Sequence, residues 1–99
     1  MAYKDSSEKI KNICLKTFDE LKANDIAELN IEKISSFATY LLIATGTSNR
    51  HIKSIADKVV DELKERKIDI LGKEGFESKE WVLIDAGDVL TVSYTHLTL

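Results

Sequence analysis

Residues 40–57 read YLLIATGTSNRHIKSIAD, and this stretch decides the fold. The segment from Ala38 to Thr45 is apolar at nearly every position, which is typical of a strand covered on both faces in the middle of a sheet. Gly46 ends this strand, and Thr47 or Ser48 can cap the helix that follows. The pattern therefore predicts a strand, a turn and a helix without any intervening loop.

Two amphipathic helices are predicted from apolar residues that recur at helical spacing. The first runs from about Ser6 to Ala23, and Asp5 with Glu8 offers a start that resembles a capping box. The second runs from Asn49 to about Lys67. Their apolar faces consist of Ile10, Ile13, Cys14, Phe18 and Leu21 in the first helix and Ile52, Ile55, Ala56, Val59, Val60 and Leu63 in the second.

Shorter segments predict the remaining strands of a mixed sheet. Residues 26–31 alternate between polar and apolar as a half-buried strand does, and a short strand is expected around residues 68–71. Residues 81–85 and 89–91 are expected to be two strands joined by a tight turn, in which Gly87 can take a positive φ. The sequence therefore predicts one α/β domain with a mixed sheet flanked by helices.

The composition suits a single small domain. A chain of 99 residues buries roughly 60 to 70% of the surface that its unfolded form exposes, which is enough for one core. The longest apolar run, residues 40–44, is far too short to cross a membrane. The N-terminus lacks the apolar core of a signal peptide, so we expect a cytoplasmic protein.

The single cysteine and the net charge restrict the choice of ligand. Cys14 lies on the apolar face of the first helix, with no Cys or His at metal-ligand spacing, and is predicted to be a core thiol. The formal charge of −3 argues against binding nucleic acid through its phosphates, which needs a basic patch. We therefore expect little direct contact with nucleic acid, no cofactor, no metal and a protein partner.

Two short motifs have a catalytic interpretation beside a structural one. Residues 46–51, GTSNRH, could hold an anion at a helix N-terminus or could be an ordinary helix start, because a lone glycine completes no phosphate-binding fingerprint. His51 has no nucleophile at informative spacing, so packing is favoured over catalysis. Asp85 and Asp88 could bind magnesium, as in a nucleotidyltransferase, but the turn between them explains both carboxylates without a metal.

Trp81 begins a predicted strand whose two faces differ. Alternation places Trp81, Leu83 and Asp85 on one face, and the face with Val82 is predicted to be core. Trp81 could be a core residue at the sheet edge or an anchor for a partner. The segment from Ile68 to Thr91 has six acidic residues and two lysines, a net charge of −4. An aromatic anchor among acids favours a basic protein partner.

Taken together, several stretches between about Lys9 and Val89 resemble the ribosomal silencing factor family, also called RsfS or Iojap. The residues that carry this resemblance are Asp25, Ile26, Tyr40, residues 43–46, Ser48, Arg50, His51, Ile55, Ala56, Glu74, Gly75, residues 81–83, Asp85 and residues 87–89.

The resemblance implies both a fold and a function. It implies an α/β fold with a topology similar to nucleotidyltransferases, and members that often self-associate as dimers. It also implies a factor without enzymatic activity that binds ribosomal protein number fourteen of the large subunit, blocks joining of the small subunit and lowers translation when nutrients are short. We expect the partner surface to centre on Trp81, Asp85 and Asp88, with Tyr40 and Glu74 as further members. The alternative is a small nucleotide-binding or nucleotidyltransferase-like enzyme.

The chain departs from the family pattern at three places. Thr39 stands where the family usually has Asp, and Ala86 stands where it usually has an aromatic residue, so partner contacts could be weaker. After Thr91 the family usually continues with a strand that contains His, whereas this chain ends VSYTHLTL. We expect residues 1–91 to form the family-like domain and residues 92–99 to be a non-native tail, in which His96 has no function.

Overall fold

Two helices and five strands occupy the part of the chain that the computed structural model describes, residues 2–75 and 80–95, with side chains described from Ser7 onward. In chain order they are α1 (Ala2–Glu20), β1 (Asn24–Asn30), β2 (Tyr40–Gly46), α2 (Asn49–Glu65), β3 (Gly72–Glu74), β4 (Trp81–Asp85) and β5 (Val89–Thr95). Within these ranges neither helix has the length and apolarity needed to cross a membrane.

The strands form one mixed sheet in the order β1-β2-β5-β4-β3. β2 and β5 run parallel, with Tyr40 opposite Val89, and the other neighbouring strands are antiparallel. Parallel neighbours need a crossover connection, and α2 lies within the connection from β2 to β5. The predicted α/β class with a mixed sheet is therefore confirmed.

The helices and the sheet enclose one apolar core. The buried apolar side chains are Ile10, Cys14 and Phe18 of α1, Ile52, Ile55, Ala56, Val59, Val60 and Leu63 of α2, Leu42, Ala44, Val82, Ile84 and Val89 of the strands, and Ala38 and Ala86 of the connections. Each large side chain of this kind stabilises the fold by roughly 1.5 to 3 kcal/mol relative to exposure. Burial raises the pKa of the Cys14 thiol to about 12, so the predicted core thiol is confirmed.

Both helices cover the same face of the sheet. Leu42 and Ala44 of β2 lie in the core with the helices, whereas Leu41 and Ile43 on the other face are only half-buried. The prediction that this strand is covered on both faces is therefore wrong. An apolar run does not reveal by itself whether the second face of the strand is covered by a helix of the same chain, is covered by another protein or faces water.

The predicted transition from strand to helix is confirmed at Ser48. Its side-chain oxygen accepts a hydrogen bond of 3.1 Å from the His51 amide, which identifies Ser48 as the N-cap of α2. The helix ends at Glu65, two residues before the predicted end at Lys67. Lys67 has a φ of 60°, and the Ile68 amide donates to the Leu63 carbonyl at 2.9 Å, which closes the helix as a Schellman motif does.

Helix α1 also differs from its predicted bounds. It begins at Ala2, so Asp5 lies within the helix and the predicted capping box with Glu8 is wrong. It ends at Glu20, three residues before Ala23. The end has the same motif as α2, because Lys22 has a φ of 59° and the Ala23 amide donates to the Phe18 carbonyl at 2.8 Å.

Two predicted strands lie elsewhere or are less buried than expected. The short third strand is Gly72–Glu74 and not residues 68–71, because Ile68 and Ile70 pack against the core and are not paired in the sheet. Strand β1 was expected to be half-buried, but it lies at the sheet edge and only Ala27 is partly buried.

Strand β5 extends beyond its predicted end at Thr91. It continues to Thr95 between β2 and β4, and Ser93 is buried beneath the helices, so the expected end of the strand is wrong. Val92, Tyr94 and Thr95 are β-branched or aromatic, which suits a strand. Residues 96–99, including His96, lie outside the described residues. The non-native origin of residues 92–99 remains a prediction that sheet pairing does not test.

Candidate protein-binding surface

The face of the sheet opposite the helices is the candidate functional site. Neighbouring side chains of a strand point to opposite faces, so the strand register identifies the residues that share this face. We call it the open face, and its side chains include Ala27 and Leu29 of β1, Leu41, Ile43 and the buried Thr45 of β2, Leu90, Val92 and Tyr94 of β5, Trp81, Leu83 and Asp85 of β4, and Glu74 of β3.

The open face is unusually apolar for a surface in contact with water. A sheet with one solvated face commonly has polar residues on that face. Here the central strands instead place Leu41, Ile43, Leu90 and Val92 side by side, each half-buried. Contiguous apolar surface that faces water is a common feature of interaction sites.

Trp81 stands on the open face at the start of β4, opposite Tyr94 of β5. Its side chain is 42% exposed, while Val82 and Ile84 on the other face are buried, so the predicted alternation is confirmed. The ring also packs against the backbone of Gly75, where an added Cβ would lie 2.6 Å from the ring carbon Cε3. This contact holds the ring in place while leaving part of its surface available.

Acidic residues border the apolar surface at one end. Asp85 accepts a hydrogen bond of 2.8 Å from the Gly87 amide, and Gly87 has a φ of +86°, as predicted for this turn. The carbonyl of Asp88 accepts hydrogen bonds from the amides of Thr39 and Tyr40, so the turn is fastened to the start of β2. Three of the predicted residues, Trp81, Asp85 and Glu74, thus share the open face, and Asp88 lies at its end.

Tyr40 lies on the other face of the sheet, apart from the remaining predicted residues. Its hydroxyl donates a hydrogen bond to Glu8 of α1, and the Lys11 ammonium lies 4.7 Å from the ring centroid. The hydrogen bond raises the pKa of Tyr40, and the bonds from Tyr40 and Lys11 lower the pKa of Glu8. Lys11 also binds Glu28 at 3.1 Å, so this cluster fastens α1 to the sheet edge.

His51 is a packing residue, as the sequence favoured. Its Nδ1 accepts a hydrogen bond of 2.9 Å from the Thr47 amide, and its Nε2 lies 2.7 Å from the Leu21 carbonyl. A carbonyl can only accept, so Nε2 carries the proton and the ring is the Nε2–H tautomer. Both ring nitrogens therefore join the start of α2 to the end of α1.

The two halves of the alternative, enzymatic site lie at opposite ends of the sheet. The segment of residues 46–50 starts at Gly46, the last residue of β2, whereas Asp85 and Asp88 belong to the turn that is bonded to Tyr40, the first residue of β2. Strand β2 has seven residues, and at about 3.3 Å per residue the ends are roughly 20 Å apart. One small nucleotide phosphate and its metal ion could not contact both groups.

Sequence reasoning did not identify Leu41, Ile43, Leu90, Val92 and Tyr94 as surface residues. The apolar pattern predicts that Leu41 and Ile43 lie in a strand covered on both faces, and the predicted tail from residue 92 includes Val92 and Tyr94. The signal that could have found the β5 residues is the alternation of Leu90, Val92 and Tyr94 with the smaller Thr91 and Ser93.

Comparison with known proteins identifies the family. The family model described as "Ribosomal silencing factor during starvation" matches residues 4–92. The chain belongs to the ribosomal silencing factor family. Relatives named ribosomal silencing factor RsfS include one from Chromobacterium violaceum, 43% identical over 84% of this chain and 68% of the relative, and one from Bacillus subtilis, 38% identical over 82% of this chain and 69% of the relative. A chloroplastic protein named Iojap from Zea mays is 29% identical over 76% of this chain and 32% of its own length.

Solved structures of similar proteins support the family fold. A crystal structure of a protein from Chromobacterium violaceum matches with a TM-score of 0.87 at 40% identity, over 90% of this chain and 74% of that one. One from Bacillus halodurans matches with a TM-score of 0.84 at 31% identity, over 89% of this chain and 82% of that one. These matches agree with the five-stranded mixed sheet and two helices described above.

Proposed function

We propose that this chain binds the large ribosomal subunit through ribosomal protein number fourteen, using the open face of its sheet. By occupying that position it blocks joining of the small subunit and represses translation under nutrient limitation. Membership of the silencing factor family supports the general role. The observation that carries the proposal is the apolar open face with Trp81 at one end and carboxylates at the other.

The charge of the open face favours a protein partner over RNA. Among the strand positions that the structure places on this face, Asp85 and Glu74 are the charged residues, and both are acidic. Phosphate recognition needs Lys or Arg. A ribosomal protein with an exposed basic surface would complement the carboxylates while its apolar atoms cover Trp81 and its neighbours.

The arrangement of layers supports a steric mechanism. If the open face is covered by the partner, both helices project away from it as an outer layer. The domain measures 42 × 29 × 22 Å along its principal axes. A body of this thickness between two ribosomal subunits would prevent their contact without any chemical step, so we infer that the protein acts by binding and not as an enzyme.

Two further features belong to this proposal. We propose a cytoplasmic location, because the proposed partner is the ribosome, and a fluorescent fusion would test it. Self-association is also proposed, because β1 is an exposed edge strand to which a second copy could add. Sedimentation equilibrium over a range of concentrations would detect the dimer, and a constant monomer mass would contradict it.

Co-sedimentation with separated ribosomal subunits tests the central claim. The chain should sediment with large subunits, should not sediment with small ones and should reduce the yield of joined ribosomes. Trp81→Ala should weaken binding by about 2 kcal/mol, the size expected for a hot spot, or roughly 30-fold in Kd. Its circular dichroism spectrum should remain that of the folded chain. Equal binding to both subunits would contradict the proposal.

Charge reversal provides an independent test that does not depend on Trp81. Replacing Asp85 and Asp88 with Lys should slow association, and raising the salt concentration should weaken binding of the parent. The control replaces Asp57 and Asp61 with Lys, which makes the same charge change on the exposed side of α2. If both double variants lose binding equally, the effect reflects net charge and not the proposed surface.

A further inference from the structure

Two of the most exposed large apolar side chains lie beside the turn between β4 and β5. Phe37 is 71% exposed and Leu71 is 69% exposed, well above Trp81 at 42%. Phe37 belongs to the loop before β2, and Leu71 precedes β3. Neither side chain contributes to the described core, so fold stability does not explain why both are large and apolar.

Backbone hydrogen bonds bring the two segments to the same turn. The Thr39 amide donates to the Asp88 carbonyl at 2.7 Å, which places the Phe37 loop on one side of the turn. The Leu71 amide donates to the Asp85 carbonyl at 2.7 Å, which places Leu71 on the other side. Phe37 and Leu71 therefore flank residues 85–88, and we call this region the turn end.

The turn end has a cleft and a definite charge. A cleft of about 350 Å³ lies between the loop and the turn, and Phe37, Thr39, Asp88 and Glu32 are among its lining residues. The side chains of Asp88 and Glu32 make it acidic. Five of the seven lining residues are polar, so the cleft suits the cation of a Lys or Arg side chain, while Phe37 and Leu71 offer apolar surface beside it. A second copy of this chain that presented the same region would place carboxylates against carboxylates.

The turn end is continuous with the open face. Asp85 pairs with Leu90 on that face and also forms the start of the turn. We propose that the basic protein bound by the open face also extends over the turn end, where Phe37 and Leu71 contact its apolar atoms and Asp88 contacts a cation. This inference rests on the proposed function and adds a second contact area for the same partner.

Single substitutions at exposed positions test the inference without disturbing the core. Phe37→Ser and Leu71→Ser should each raise the Kd for purified large subunits about 10-fold, the effect of losing one energetically important contact. Ile34→Ser is the matched control: Ile34 lies in the same loop as Phe37 and is 86% exposed, but unlike Phe37 it does not line the cleft, and its amide bonds to Ile31, whereas that of Leu71 bonds to the turn. Its Kd should stay within about twofold of the parent. Thermal melting checks that all three variants fold.

The outcomes separate the inference from the proposed function. If Phe37→Ser and Leu71→Ser bind like the parent while Trp81→Ala binds weakly, the turn end is not a contact and the inference fails alone. If Trp81→Ala also binds like the parent, the open face is not the contact surface, and the surface named in the proposed function fails as well. If the parent chain does not bind large subunits at all, the proposed function itself fails. If the two serine variants lose self-association but retain subunit binding, the occupant is a second copy and the inference is overturned.

Discussion

Replacing Gly75 with Ala should destabilise the chain and release Trp81 from its position. Gly75 has a φ of +88°, and an added Cβ would lie 2.3 Å from the Trp81 carbonyl oxygen and 2.6 Å from the ring carbon Cε3. The positive φ alone costs about 1 to 2 kcal/mol for a residue with a Cβ. The collision with a backbone atom adds to this, because the start of β4 must move to relieve it.

The expected loss can be measured by thermal unfolding. A loss of at least about 2 kcal/mol corresponds to a decrease in Tm of at least roughly 8 °C for a domain of this size. The chain has one tryptophan, so fluorescence reports on Trp81 alone. Its emission should shift to longer wavelength in Gly75→Ala because the ring loses its contact with the Gly75 backbone.

A second glycine provides the control for this experiment. A Cβ at Gly72 would meet its nearest neighbour, the Asp85 Cβ, at 3.9 Å, which is an ordinary contact. Gly72→Ala should therefore melt at or slightly above the parent temperature, because alanine restricts the unfolded chain by about 0.4 to 1 kcal/mol. If Gly75→Ala melts like Gly72→Ala with unchanged emission, the packing of Trp81 on Gly75 is refuted.

Two further predictions concern a helix end and the response to acid. Lys67→Gly should raise the unfolding free energy by about 1 kcal/mol, because Lys67 has a φ of 60° that glycine adopts without strain. Urea unfolding would measure this gain. A loss of stability would contradict the assignment of a Schellman motif at the end of α2. Tyr40→Phe should lower the Tm at neutral pH by removing the hydrogen bond to Glu8. Because that bond lowers the folded-state pKa of Glu8 below 4.5, its contribution is present above pH 4.5 and is lost as the pH falls through the folded value. The difference in Tm between parent and variant should therefore shrink in acid, and a difference independent of pH would exclude this role for Glu8.

The buried faces of the helices were predictable because apolar residues recur at helical spacing along the side of a helix that faces the core. Every apolar position assigned to α2, from Ile52 to Leu63, is buried. The cap at Ser48 was also predictable, since a serine side-chain oxygen at a helix start accepts a hydrogen bond from a backbone amide of the first turn. The helix ends were not, because Lys22 and Lys67 occupy the left-handed position where glycine is the usual signal.

The surface was predictable only where the sequence showed which face of a strand belongs to the core. Trp81 and Asp85 share a face because alternation in β4 requires it, and this was evident from the sequence. Tyr40 was grouped with them, but it has the same parity as Leu42 and Ala44, which are core residues. Because the strand was predicted to be covered on both faces, this shared parity did not show that the Tyr40 side chain lies on the helix side.

The same alternation that builds the core also builds the candidate docking surface. In β4 and β5, core residues alternate with open-face residues: Leu83 of the open face precedes the core residue Ile84, and Val92 of the open face follows the core residue Thr91. A continuous apolar strand can therefore stabilise the fold with one set of side chains and contact a partner with the other. For this chain, the apolar run that suggested a doubly covered strand fits a sheet whose second cover is supplied by another protein. The two interpretations share one sequence pattern, and only the position of both helices on one face distinguishes them.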